Sequence, residues 1–282
     1  MGELERGQRL AVTTDLDSWD IVALRFGVAG LLLSPVVVRR GLALDRLGWL
    51  GLAGIIAGNA APYALVAAEG LRFAPAYDGG ALNPAMMPLF VALIAATLLH
   101  QQPSRARKTR LFLVVAGALI LVGWHTETDR TGWNTSRTFG DALFLLASFL
   151  TAIFTVITRQ AKLDPIHAAA LVSTGSLIIC FPFYCTVSED HLFQIPLLQT
   201  IFQGVLVTII SLILYVRSAA ILGAFRRLGV WSFGAPLTAF LAIPLLGESP
   251  SDIGWVAIIL ISAGAYLTSG GPLSRRRDGG NG

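Results

Sequence analysis

The sequence predicts an all-α polytopic membrane protein, a helix bundle built from inverted repeats of five helices, with nine spans visible of an expected ten. Three observations carry this. Long apolar stretches recur along the 282-residue chain, each of the roughly 20 residues needed to cross a hydrocarbon core about 30 Å thick. Apolar residues make up 54% of the chain and charged ones only 13%, against roughly 25% charged in soluble domains. Lysine and arginine gather in alternate gaps between the apolar stretches, the pattern of a chain with a fixed orientation in the bilayer. A β-barrel would show alternating ten-residue strands instead of continuous apolar runs.

Residues 1–18 form a polar tail without an apolar core, which is not the pattern of a signal peptide. The spans are read at 20–38, 47–69, 75–99, 108–124, 139–159, 166–187, 198–217, 226–246 and 253–270. Of the 21 Lys and Arg residues, fifteen fall on one side of these spans, in the gaps from Arg39 to Arg46, Arg105 to Arg110, Arg159 to Lys162 and Arg217 to Arg227 and in the tail at Arg275 to Arg277. Five fall on the other side, and Arg25 lies inside a span. The bias places the first side, the C-terminus and the basic tail 271–282 in the cytoplasm. Trp19, Trp49, Trp124 and Trp255 fall at span ends, where amphipathic rings prefer to sit.

A shift of 147 residues lays the chain on itself. Leu16, Asp17, Ala23, Leu24 and Pro35 fall on Leu163, Asp164, Ala170, Leu171 and Pro182; Pro103, Ser104, Leu113, Ala116, Gly117, Ala118 and Gly123 fall on Pro250, Ser251, Leu260, Ala263, Gly264, Ala265 and Gly270. The repeats cover 19–124 and 139–270. A unit with an odd number of spans inverts across the membrane, and inverted repeats are a recurring plan for secondary transporters. The second repeat opens with the span at 139–159, whose counterpart would precede Met1. The expectation is a first helix lost from the start of the chain; the other reading is a true nine-helix form.

The ALRF of residues 23–26, the GLRFAPA of 70–76, the PLFVALIAATLL run of 88–99, the AGALILVG of 116–123, the pair Gly140-Asp141 and the PLLGES turn of 244–249 resemble, in order and spacing, the EamA-type transporters of the drug/metabolite transporter superfamily. The resemblance covers nearly all of residues 19–270. It implies ten helices in two inverted repeats, a central cavity, and export or exchange of small metabolites, often amino acids or related compounds, across the bacterial inner membrane. The chain departs from the pattern twice. The first helix is absent, and the Gly247-Glu248 pair is replaced in the first repeat by His100-Gln101-Gln102. Glu248 is expected to cap or anchor a helix end.

Candidate site residues come from helix breaks and intramembrane polar groups. The span 75–99 holds Asn83-Pro84 and then Pro88, and the corresponding span 226–246 holds Pro236 in the place of Pro88. Paired interrupted helices point to a binding site, because proline frees carbonyls that need a partner or a wet cavity at membrane depth; the structural alternative is a packing kink. Asn59 and Asn83 carry amides that are costly to turn toward lipid, and Tyr63 lies about one turn beyond Asn59. Ser148, Thr151 and Thr155 form one polar face, and Thr208, Ser211 and Tyr215 repeat that spacing; Ser232 and Thr238 flank Pro236. Serine and threonine also serve as plain helix glue. The substrate-binding set expected is therefore Asn59, Tyr63, Asn83, Ser148, Thr151, Ser211, Tyr215 and Ser232, with helix breaks at Pro84, Pro88 and Pro236. Arg25 is expected to snorkel outward or to pair with an acid inside the bundle, and Asp78 or Glu69 to partner Arg25 or Arg72. Asp141 is expected to open its helix, where the dipole favours a carboxylate.

Other chemistries are disfavoured. There is no GxxxxGK[ST] motif, so any transport would draw on gradients. Cys180 and Cys185 lack metal spacing, and the four histidines lie at span ends or in loops, so no cofactor and no metal is implied. The positives are loop anchors and do not form a nucleic-acid patch. Without a cluster of His, Asp, Glu, Ser or Lys at shared depth, an intramembrane enzyme is disfavoured. The expected function is a secondary carrier of small organic solutes in the lipid bilayer of the bacterial inner membrane, most simply an exporter, working by alternating access between two inverted halves. With no acid clearly at mid-membrane, a facilitator or solute exchanger fits as well as a proton antiporter. The alternative is a transport-inactive membrane partner or regulatory subunit.

Overall fold

Helix follows the apolar runs through the computed structural model, which describes residues 18–98, 105–128, 135–187, 205, 208–214, 217 and 234–268. The elements are α1 (Ser18–Arg40), α2 (Leu44–Asn59), α3 (Ala61–Phe73), α4 (Ala76–Leu98), α5 (Arg105–Thr128), α6 (Thr135–Gln160), α7 (Pro165–Val187), α8 (Gly234–Leu246) and α9 (Asp252–Thr268). Residues 208–214 are also helical. No strand occurs among the described residues. Three stretches there are long and apolar enough to cross a membrane, Leu44–Phe73, Ala76–Thr97 and Ser136–Gln160; Leu111–Gly123, Pro165–Ile179, Gly234–Pro244 and Asp252–Leu267 are shorter apolar helices. Large apolar side chains face outward on several of them: Leu50 is 90% exposed, Phe112 69% and Ile178 68%. Water would penalise such a surface and lipid would not.

The span expected at 47–69 is two helices. α2 ends at Asn59, Ala60 is extended (φ −112°, ψ −152°), and α3 restarts with Pro62 in its first turn, where a missing N–H costs nothing. The amide of Ala61 at the new N-terminus donates to Ser176 Oγ of α7 at 3.1 Å. The prolines of α4 behave otherwise. Pro84 and Pro88 lie inside a helix that continues from Ala76 to Leu98, so the breaks expected there do not occur; α4 packs between α6, α8 and α5, and neighbours of that kind let a membrane helix pass a proline. Pro236 lies in the first described turn of α8, and residues 218–233 before it lie outside the described residues.

Helices equivalent under the 147-residue shift pack on each other: α1 on α7, α4 on α8 and α5 on α9. The α5–α9 seam is reciprocal. A Cβ at Gly117 would meet Ile261 Cγ1 at 2.7 Å, and one at Gly264 would meet Val114 Cγ2 at 2.9 Å; Val114 and Ile261, like Gly117 and Gly264, are 147 apart. A Cβ at Gly30 would meet its own equivalent, Leu177, at 2.8 Å. As numbers rise along one helix they fall along its partner, so the pairs are antiparallel and the axis relating the repeats runs across the helices. This is the inverted repeat expected, seen in contacts. It predicts that Gly117→Ala and Gly264→Ala destabilise by similar amounts, about 1–3 kcal/mol each for overpacking; thermal unfolding in detergent checks this, and tolerance at one site only would contradict the symmetry.

The repeats interleave. One core, around Ile55, Phe154 and Leu171, joins α1, α2, α3, α7 and residues 208–214. The other, around Leu82, Leu121 and Ile258, joins α4, α5, α8 and α9. α6 contributes to both, through Phe154 in the first and Phe144 in the second. Each bundle therefore holds helices of both repeats, and the division expected to lie between halves lies between these bundles.

Side-chain caps tie the ends. Gly247, with φ +70°, takes the left-handed position that closes α8, and its N–H and that of Glu248 donate back to Ile243 and Ala242. That turn aims Glu248 at the start of α4, where Oε2 accepts the Ala76 N–H at 2.8 Å, the helix-end role expected of it. At the other end Asp164 caps α7, accepting from the N–H groups of Ile166 (3.0 Å) and His167 (3.2 Å) and pairing with Arg40 at 3.0 Å. Partial burial pushes the Asp164 carboxyl upward, but the amides of His167 and Ile166 and the Arg40 guanidinium outweigh it and hold it below the usual carboxylate range. Asp164→Ala should cost about 1 kcal/mol, whereas Asp164→Asn keeps a cap and loses only the charge. Because the folded value is depressed, the charge contributes above the unfolded value, about 3.9, and is lost as pH falls through the lower folded one. Melting curves of wild type and Asp164→Asn should therefore differ near neutrality and converge in acid.

Candidate functional site

A cavity of about 590 Å³ lies where the two bundles face each other, within the range typical of small-molecule sites. α1 contributes Arg25 and Phe26; the α2–α3 break contributes Asn59 and Tyr63; α4 contributes Gly79, Gly80, Asn83, Pro84 and Met87. Thr151 of α6, Thr208, Ser211 and Leu212, and Gly234, Leu237 and Thr238 of α8 close it.

Its polar wall starts from backbone. The α2–α3 break leaves Asn59 at a helix end on the cavity. Pro84 has no N–H to give the Gly80 carbonyl, and both residues line the cavity. Gly80 itself is required by packing, since a Cβ there would sit 2.5 Å from Thr238 Cγ2 of α8. One turn on, Asn83 Nδ2 donates to Tyr63 Oη at 3.1 Å, joining α4 to α3 across the cavity wall. That bond leaves the second amide hydrogen and the carbonyl of Asn83, and the hydroxyl hydrogen of Tyr63, for a guest.

Of the eight substrate-binding residues expected, Asn59, Tyr63, Asn83, Thr151 and Ser211 line the cavity. Tyr215 and Ser232 lie outside the described residues. Ser148 is corrected: it is fully buried, away from the cavity lining, and its hydroxyl finds no partner among the described residues. Thr151 and Thr155 on the same helix donate to the Ala147 and Thr151 carbonyls at 3.0 and 2.9 Å, so most of that polar face is satisfied by its own backbone. Pro84 lines the cavity, whereas Pro88 and Pro236 do not.

The charges also differ from expectation. Arg25 makes no ion pair with an acid whose side chain is described; it lines the cavity, 5.6 Å from the Phe26 ring, with a buried Nε that has no hydrogen-bond partner among the described residues. Glu69 pairs with Arg72 at 3.0 Å, one of the pairings expected. Asp78, fully buried, takes Arg137, whose Nε and Nη2 donate to Oδ2 at 3.0 and 2.8 Å while Nη2 also donates to Tyr77 Oη at 2.8 Å. Asp141 does not open its helix, because α6 begins at Thr135; it is buried one turn beyond Arg137. Nearby, Phe144 fills a slot that Gly70 and Gly79 leave open, each of whose Cβ atoms would fall within 2.8 Å of its ring. Sequence reasoning missed Arg25, Gly80, Thr208 and Thr238 as lining residues. The Gly79-Gly80 pair one turn before Asn83-Pro84 was the available signal for Gly80, and an intramembrane arginine without a certain acid for Arg25.

The architecture has known counterparts. One solved crystal structure superposes with a TM-score of 0.60 at 19% identity, over 96% of this chain and 94% of the other, a likeness of fold. No curated protein matches. The model of the EamA-like transporter family matches residues 7–123 and again 138–270, two copies that overlap the two repeats, the first reaching back into the polar tail. With that double match over most of its length, on an all-helical fold of paired antiparallel repeats, this multi-pass membrane protein belongs to the EamA-like transporter family.

Proposed function

We propose that the chain is a secondary carrier that moves small organic metabolites, amino acids or related compounds, across the bacterial inner membrane, with export as its direction. The observation that carries this reading is the cavity of about 590 Å³ between two interleaved bundles, with amide, hydroxyl and guanidinium groups on otherwise apolar walls. Such a site holds a solute of metabolite size, and its place between two packed bodies suits alternating access by rocking one bundle against the other. α6, shared by both cores, is the natural hinge or rail. The excess of Lys and Arg on one side supports a cytoplasmic C-terminus.

Counterflow in proteoliposomes tests the proposal. Vesicles loaded with an unlabelled solute and diluted into its labelled form should accumulate label transiently for at least one member of a panel of amino acids and small amines. No accumulation for any member, with the protein inserted and folded, would overturn it.

A further inference from the structure

We infer that Arg25 is an anion anchor and that the solute held in this cavity carries a carboxylate. The inference rests on the transport reading for the word solute, but its chemistry stands on the cavity itself. A guanidinium inside a membrane bundle is expensive unless it finds a counter-charge. The acids whose side chains are described are committed elsewhere or lie off the cavity: Asp45 with Arg46, Glu69 with Arg72, Asp78 with Arg137 and Asp164 with Arg40, Glu248 on the Ala76 amide, and Asp141 and Asp252 outside the lining. Among the described lining residues Arg25 is therefore the one cation, and none of them is an acid. Its Nε is withdrawn from solvent and unpartnered among the described residues.

The neighbours complete a donor set. The Tyr63 hydroxyl and the Asn83 amide retain hydrogens beyond the bond between them, and Asn59 brings a second amide to the same cavity. A planar guanidinium fork matches two carboxylate oxygens at once. One cation balances one negative charge, so a phosphate, carrying nearly two, would leave charge uncompensated in a low-dielectric site. Phe26, Met87, Leu212 and Leu237 supply apolar walls for the rest of the solute.

The test uses the whole purified protein in detergent and a panel of carboxylates, each beside its own primary amide: amino acids and amino-acid amides, short aliphatic and aromatic acids and their amides. Thermal unfolding should show at least one carboxylate raising Tm while its amide does not. In Arg25→Gln that difference should vanish. In Arg25→Lys, which keeps the charge and loses the fork, it should persist with affinity about tenfold weaker, the scale of one charge-assisted hydrogen bond. Arg25→Lys decides the matter alone if Arg25→Gln does not fold. Amides that stabilise as well as their acids, no carboxylate that stabilises the wild type, or a preference unchanged in the variants would each overturn the inference. Counterflow separates the two readings. A carboxylate bound through Arg25 but never exchanged would leave the anchor standing and refute transport, whereas exchange of amines or amides alone would support transport and refute the anchor.

Discussion

Arg137→Ala is expected to lower stability by about 3–5 kcal/mol, the cost of stripping one partner from a buried ion pair. Asp78 is 0% exposed, so with Arg137 gone its carboxylate has neither water nor its guanidinium. The pair also has good geometry, with two donors on Oδ2 and a third bond to Tyr77. Arg137→Lys keeps the charge but not the fork and should recover only part of the loss. The double variant Asp78→Ala with Arg137→Ala should cost less than the sum of the singles, because the attraction between the two charges is lost in either single and counted only once in the double. Unfolding in detergent reads all four. A single-variant cost below about 1 kcal/mol would show instead a pair that behaves like an exposed one. The position makes the effect matter for the site: this ion pair, with Glu248 on the Ala76 amide, holds the first turn of α4, and α4 carries Gly80, Asn83 and Pro84 to the cavity.

What could be read from the sequence and what could not divide along a physical line. Apolar length and a constant 147-residue offset are properties of whole segments, and they foretold the described helices, the repeat and its inversion. The reciprocal Gly117–Ile261 and Gly264–Val114 contacts are that offset seen in space. Pairings between segments depend on packing, which periodicity does not encode. The signature of an interrupted helix, proline after a polar residue, occurs at both Asn59–Pro62 and Asn83–Pro84. Only the first breaks the chain, because Pro62 sits in a helix's first turn and Pro84 mid-helix among packed neighbours. Arg25 shows the same limit from the other side. Asp78 and Glu69 were fair partners by depth, yet Arg137 and Arg72 reach them first, and the arginine left over faces the cavity.

Asn83→Leu should reduce exchange by roughly 5- to 150-fold while the protein still folds, the range set by about 1–3 kcal/mol for an unmet polar group. Folding is spared for two reasons. Leucine is a better helix former than asparagine, and the interhelical bond it removes, Asn83 to Tyr63, belongs to a class that averages only about 0.6 kcal/mol in membranes. The solute would feel the change twice: it loses a lining amide, and Tyr63 loses the donor that orients its hydroxyl. A cycle with Tyr63→Phe separates these effects. If Asn83 acts only by holding Tyr63, the double variant is no slower than Tyr63→Phe alone; if each group touches the solute, the losses multiply. A rate within twofold of wild type for Asn83→Leu, in vesicles where the wild type exchanges, would reduce Asn83 to a strut between α3 and α4 and move recognition to Arg25, Asn59 and the α8 wall.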